Sequence, residues 1–152
     1  MRRPLLLLLI AVGVLVFLAI SAVLARVLSI DGAERSALTS LVTAEARGDR
    51  AGAASQLYHC SASAACQGRV AVDTAALRHP GAVSIIQIQP SAGFSLTSTL
   101  GVARVAWQVG GSLPIVQCVR VRRAGTAVTG FRVELLEVSR RIPSDAACPS
   151  RF

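Results

Sequence analysis

The chain changes its hydrophobic period twice along its length. Leu5–Ala25 is a run of 21 residues without a charge, in which Ser21 is the one polar side chain. Wound as a helix it rises ~30 Å, the thickness of a bilayer's hydrocarbon core. After a short linker at residues 26–30, the apolar positions thin to one face. Leu38, Leu41 and Val42, with Glu45 on the same side, recur at three- and four-residue spacing to about Ala46. Asp31-Gly32-Ala33-Glu34 has the form of a capping box and predicts the start of this helix. Gly48 predicts its end. Asp49 is placed to cap a second, shorter helix with Ala53, Ala54, Leu57 and Tyr58 on one side. A third helical stretch runs from about Gln67 to Leu77, where Pro80 disfavours helix in the residue before it.

From Ala82 the period becomes two. Strands are predicted at Ser84–Gln89, about Leu96–Val109, Ile115–Arg122 and Val128–Val138, with turns at Gly110-Gly111-Ser112 and Ala124-Gly125-Thr126. A bulge or bend is expected at Gly101. Antiparallel pairing must place the apolar residues of all strands on one face. A register with Val109 opposite Ile115 and Trp107 opposite Gln117 does so, joined to one with Arg123 opposite Ala127 and Val119 opposite Phe131. The other face then collects Arg104, Gln108, Arg120, Arg122, Arg132 and Glu134, with Val116, Leu136 and Val138 toward one end. In this register Arg104 stands opposite Arg120. The tail, Ser139–Phe152, carries two prolines and is expected to be irregular.

The expectation is an α+β fold. An amino-terminal transmembrane helix precedes two to three helices packed on a curved four-stranded antiparallel meander. The exported domain spans 31–138, and 152 residues suit one domain of this kind. Arg2 and Arg3 precede the apolar run, so the amino terminus is expected in the cytoplasm and the rest outside, in a single pass. The alternative is a signal peptide cleaved after Val23-Leu24-Ala25. Both readings export the domain.

Charge and cysteines narrow the partners. All sixteen basic residues are arginine, and beyond the span fourteen of them face eight acids, leaving +6. An exported basic domain can meet an acidic protein surface, anionic lipid headgroups or a wall polymer, and the Arg104, Arg120, Arg122 and Arg132 face is the candidate contact. Nucleic acid is not expected, given the compartment and only five aromatics outside the apolar run. Cys60, Cys66, Cys118 and Cys148 lie on the exported side, where disulfides persist. Four cysteines allow three connectivities. The expected one is Cys60–Cys66 with Cys118–Cys148, which would draw the tail across the apolar end at Val116, Leu136 and Val138 and cover it. A metal site built on His59, Cys60 and Cys66 lacks a C-x-x-C pair and a fourth ligand, so neither metal nor cofactor is expected.

No nucleophile elbow or phosphate-binding glycine loop is present, and Gly110-Gly111 belongs to a hairpin. Gln117 is the one polar residue placed on the apolar face. With Trp107 it is the candidate lining of a small pocket.

Helices followed by a four-stranded meander in about 120 residues resemble the nuclear-transport-factor-2-like superfamily, with its ketosteroid-isomerase-like and cystatin-like relatives. The resemblance lies in element order from about Asp31 to Val138. With the anchor it is similar to bacterial single-pass modules such as Mce-associated proteins and type IV secretion scaffold subunits. It implies a non-enzymatic scaffold domain with a protein partner in a membrane complex. The alternative is an exported binder of a small apolar ligand in the cone between helices and sheet. A ketosteroid-isomerase-like site would need an acidic base and a tyrosine in that cone. Asp49, Asp73 and Tyr58 read instead as a helix cap, a solvated helix residue and a helix-end aromatic, so no catalytic residue is expected.

Overall fold

The structure, a computed structural model, describes residues 2–91, 100–126 and 130–152. Helix α1 spans Arg2–Arg47, α2 spans Arg50–Gln56 and α3 spans Ala64–Leu77, with a 3₁₀ turn at Cys60–Ala62. Strands β1 (Val83–Gln89), β2 (Leu100–Val109), β3 (Ile115–Thr126) and β4 (Gly130–Val138) form one antiparallel sheet in the order β1-β2-β3-β4. Leu96–Thr99 of the expected second strand, Val128 and Thr129 of the fourth, and the side chain of Phe131 lie outside the described residues.

One helix replaces the expected span, the linker and the helix expected to start at Asp31. Nothing between Arg26 and Ile30 breaks a helix, so the amide groups that a cap at Asp31 would satisfy already have carbonyl partners one turn back. Asp31 instead pairs with Arg35 at 2.8 Å, one turn along the exposed side. Among the described residues this is the one helix long and apolar enough to cross a membrane. It ends as expected. Gly48 adopts φ +71°, the Gly48 N–H donates to Glu45 O and the Asp49 N–H to Ala44 O, which together make a Schellman closure. A side chain at Gly48 would also strike Arg78, 2.8 Å from an added Cβ. The Asp49 carboxylate then caps α2 through the Gly52 N–H at 2.8 Å.

The carboxyl-terminal third of α1 packs with α2 and α3 on one face of the sheet. Near the middle, Leu38 and Leu41 meet Leu57, Val70, Val119, Val121, Leu135 and Val138. Toward the end of α1, Val42 and Ala46 meet Leu77, Val105, Trp107, Val109 and Ile115. These side chains are all buried, and their removal from water supplies the main drive for folding.

Both hairpins are displaced from the expected register by an even number of residues, so faces survive and partners change. Trp107 lies opposite Ile115, and Val105 opposite Gln117. Residues 109–112 close their own turn through Ser112 N–H to Val109 O, and Pro114, without an N–H, cannot extend the ladder. In the next hairpin Ala124-Gly125-Thr126 is strand rather than turn. Arg123 faces Val133, and Gly125 faces Phe131. A register shift between Arg120 and Val121 then sets Val119 opposite Val138, which turns Val138 into the core instead of toward Val116. Arg104 consequently faces Cys118, not Arg120.

The disulfides are Cys60–Cys66 and Cys118–Cys148. After β4 the tail follows β3, with Ser139 N–H donating to Cys118 O and Ile142 N–H to Val116 O. It then crosses the outer sheet face to Cys148 and leaves Val116 buried.

Loop closure ranks the two bridges. Removing Cys118–Cys148, which closes 30 residues, should cost about 3–4 kcal/mol, and removing Cys60–Cys66, which closes 6, about 2. Urea midpoints of C118S/C148S and C60S/C66S check the order; an equal or reversed ranking would show that the tail bridge holds little.

Candidate functional site

The four arginines of the outer face are brought into two groups. Arg104 and Arg120 hold the tail: Arg104 donates to Ser144 O, and Arg120 donates to Ser150 O at 3.1 Å. Arg120 also lies 3.5 Å from Glu137 and 5.1 Å from the centre of the Phe152 ring. Arg122 and Arg132 clasp opposite oxygens of Glu134, at 2.7 and 2.8 Å. These hydrogen bonds, that of Arg132 foremost, keep the Glu134 carboxyl below its ordinary range, and Glu134 in turn raises the Arg122 pKa.

Tyr58 does not pack its ring into the core. It is half exposed beneath the Arg122 guanidinium, 4.5 Å away, in a cation–π contact. The backbone holds it there: Tyr58 N–H donates to Leu135 O at 2.7 Å, tying the chain after α2 to the β4 edge. Ala54, Leu57, Tyr58, His59, Val133 and Leu135 line an open groove of about 630 Å³ along that edge. His59 and His79 are exposed at element boundaries. Cys60 and Cys66 are disulfide-bonded, which removes the thiolates a metal at His59 would need.

Between the helices and the sheet lies a polar knot. Gln117 is fully buried; its Oε1 accepts from Trp107 Nε1 at 2.9 Å, and its Nε2 donates to Ser139 O at 3.3 Å. The two residues expected to line a pocket therefore satisfy one another within the packing. Beside them is Glu45, which the sequence places on the apolar side of α1 without assigning it a role. Glu45 is 0% exposed, and neither carboxylate oxygen has a hydrogen-bond partner. Burial pushes its pKa up to about 7; the nearby Gln117 amide opposes that rise without completing a hydrogen bond, and the charge of Asp73 adds to it. Asp73 is buried rather than solvated, and burial raises it to about 6 against the pull of Arg69 and Arg140. The signal for Glu45 was its spacing: it falls three residues after Val42 and four after Leu41, on the stripe that must be covered.

Two raised carboxyls against the core give the domain an acid-side optimum. Between pH about 4.5 and about 7 the folded state holds a proton on Glu45 that the unfolded chain has lost, so stability falls as pH rises through this window, by about 3 kcal/mol in all. Asp73 acts with the same sign between its ordinary 3.8 and about 6. Glu45→Gln should be more stable than the parent at alkaline pH, and its remaining pH slope should end near 6. Urea midpoints on either side of neutrality check this; a parent whose stability rises toward alkaline pH would contradict it.

Compared with family models, curated proteins and solved structures, the chain matches none, so the candidate sites stand on their geometry.

Proposed function

We propose that the chain is a single-pass membrane protein, amino terminus in the cytoplasm, whose extracytoplasmic domain is a non-enzymatic interaction and scaffold module, an accessory of a membrane-associated complex. The carrying observation is α1 itself. Its apolar first half is exposed all round, while its second half is the central core helix of the domain. A bare apolar cylinder of this length needs lipid around it. Helix continuity favours an uncleaved anchor over a signal peptide, since cleavage after Ala25 would cut a helix in mid-course.

The scaffold reading is better supported than the apolar-ligand reading because large side chains fill the cone, with Trp107, Leu38, Leu41 and Ile115 all buried in it. The register shifts leave Ile86 of β1 and Leu136 of β4 without a partner, as bulges that bend a sheet do, in keeping with the curved meander of the nuclear-transport-factor-2-like resemblance. The outer sheet face presents Ile86 and Val102, both exposed, beside the arginines that carry the tail. An apolar patch rimmed by positive charge suits an acidic protein partner.

A reporter fused after Phe152 tests the first half of this reading. It should be active only outside the cytoplasm and should stay with the membrane through alkaline extraction. A soluble chain, or a reporter active in the cytoplasm, overturns it. For the second half, a photo-crosslinking residue at Val102 should give one discrete adduct that Arg104→Glu removes, whereas no adduct in intact cells would exclude this face.

A further inference from the structure

The geometry points to a second membrane contact, by the domain itself: the sheet end that carries the β3–β4 hairpin rests on anionic phospholipid headgroups of the leaflet into which α1 emerges. This inference rests on the membrane reading above and adds an orientation and a lipid chemistry to it.

Three strands agree on which end faces the bilayer. Ile115, at the start of β3, packs with Val42 and Ala46. Val121, further along, packs with Leu38 and Leu41. Arg123 reaches back to Glu34, 3.9 Å away. Progress along β3 is therefore progress down α1 toward its apolar half. Strand β1 descends in the same direction, because just beyond its end Ser91 donates both its N–H and its hydroxyl to the Glu34 carboxylate. On β2, which runs the other way, Gly101 touches Ser91 and Trp107 lies at the far end.

The heights follow from helix and strand rises. Glu34 is nine residues beyond Ala25, so it stands about 13 Å above the edge of the hydrocarbon. Headgroups occupy roughly the first 5–8 Å of that distance. Between Ile115 and Arg123 the strand advances roughly 26 Å while the matching stretch of α1 advances roughly 12–18 Å, so β3 descends at least about half an ångström for each ångström of its length. Three further residues carry it from Arg123 to Thr126, about 5 Å lower. The carboxyl-terminal end of β3, at Thr126, thus meets the top of the headgroup layer.

What arrives there is basic. Arg132 lies one register step from the Gly125–Phe131 pair, opposite Ala124, and its side chain is 71% exposed despite its bond to Glu134. Arg123 is part-exposed and only loosely held by Glu34. Each arginine within a Debye length of an anionic surface is attracted to it, and the guanidinium fork matches a phosphodiester.

The full-length protein, disulfides intact, is placed in nanodiscs of phosphatidylcholine alone or of phosphatidylcholine with phosphatidylglycerol, each doped with a lipid bearing a gadolinium-chelating headgroup. Paramagnetic relaxation is read at the amides of Gly125 and of Gly110, which marks the opposite end of the sheet. The expected result is relaxation several-fold stronger at Gly125 than at Gly110. It should strengthen with phosphatidylglycerol, and that gain should be lost in Arg123→Gln/Arg132→Gln. Equal relaxation at the two glycines in an inserted protein overturns the orientation and leaves the anchor reading intact. A Gly125 signal indifferent to phosphatidylglycerol overturns the headgroup recognition. Failure of the chain to enter either disc overturns the membrane reading itself.

Discussion

Because α1 runs without interruption from its apolar first half into the core, one continuous element carries two kinds of surface. Over the first half every side is apolar and exposed; over the second half Leu38, Leu41, Val42 and Ala46 form a single buried stripe. The sheet and the two short helices are arranged around that stripe, and the Schellman closure at Gly48 sets where the chain turns back to begin α2. A flexible linker at residues 26–30 would have uncoupled the two halves. Helix continuity instead ties the height and tilt of the domain to those of the apolar segment, so in a membrane the protein would present a fixed face to its neighbours rather than a tethered, tumbling one.

Which face of each strand is covered was legible in the sequence; which residue stands opposite which was not. Alternation in Val105, Trp107, Val109 and in Val119, Val121 records burial, and burial fixes only odd against even. Register belongs to the turns. There the local signals misled, since Ala124-Gly125-Thr126 reads as a turn by composition yet lies within β3. The unpaired Leu136, across from the step between Arg120 and Val121, left no trace in the pattern, and it alone decides that Val138 joins the core. The disulfides were easier. Short separation favoured Cys60–Cys66, and once that pair is made only Cys118–Cys148 remains.

Polar residues were the harder part of the candidate sites. Glu34 looked like half of a capping box and is instead the buried acceptor for Ser91, tying α1 to the chain beyond β1. Asp73 looked solvated and is buried. In each case the type of residue suggested exposure, because carboxylates are seldom buried without a partner. Position suggested otherwise for Glu45, which continues the stripe of Leu41 and Val42. Where the two signals conflict, helical position is the better guide, since the helix cannot turn one residue outward without turning its neighbours.

The outer face shows how a basic composition can be spent on structure. Arg104 and Arg120 donate to tail carbonyls, and Arg122 and Arg132 share one carboxylate that would otherwise sit nearly buried between them. These contacts explain why an irregular tail can lie flat on a sheet. Its carbonyls, with no strand partner, find guanidinium donors, and the bridge at Cys148 fixes where the crossing ends. The same contacts limit how the face can bind. A partner that drew Arg104 or Arg120 away would leave tail carbonyls to water, so recognition there would favour surfaces that add to the existing bonds over ones that replace them. Arg132 carries no such restraint from the tail. Of the four arginines it has the most exposed side chain, 71%, even while it holds Glu134.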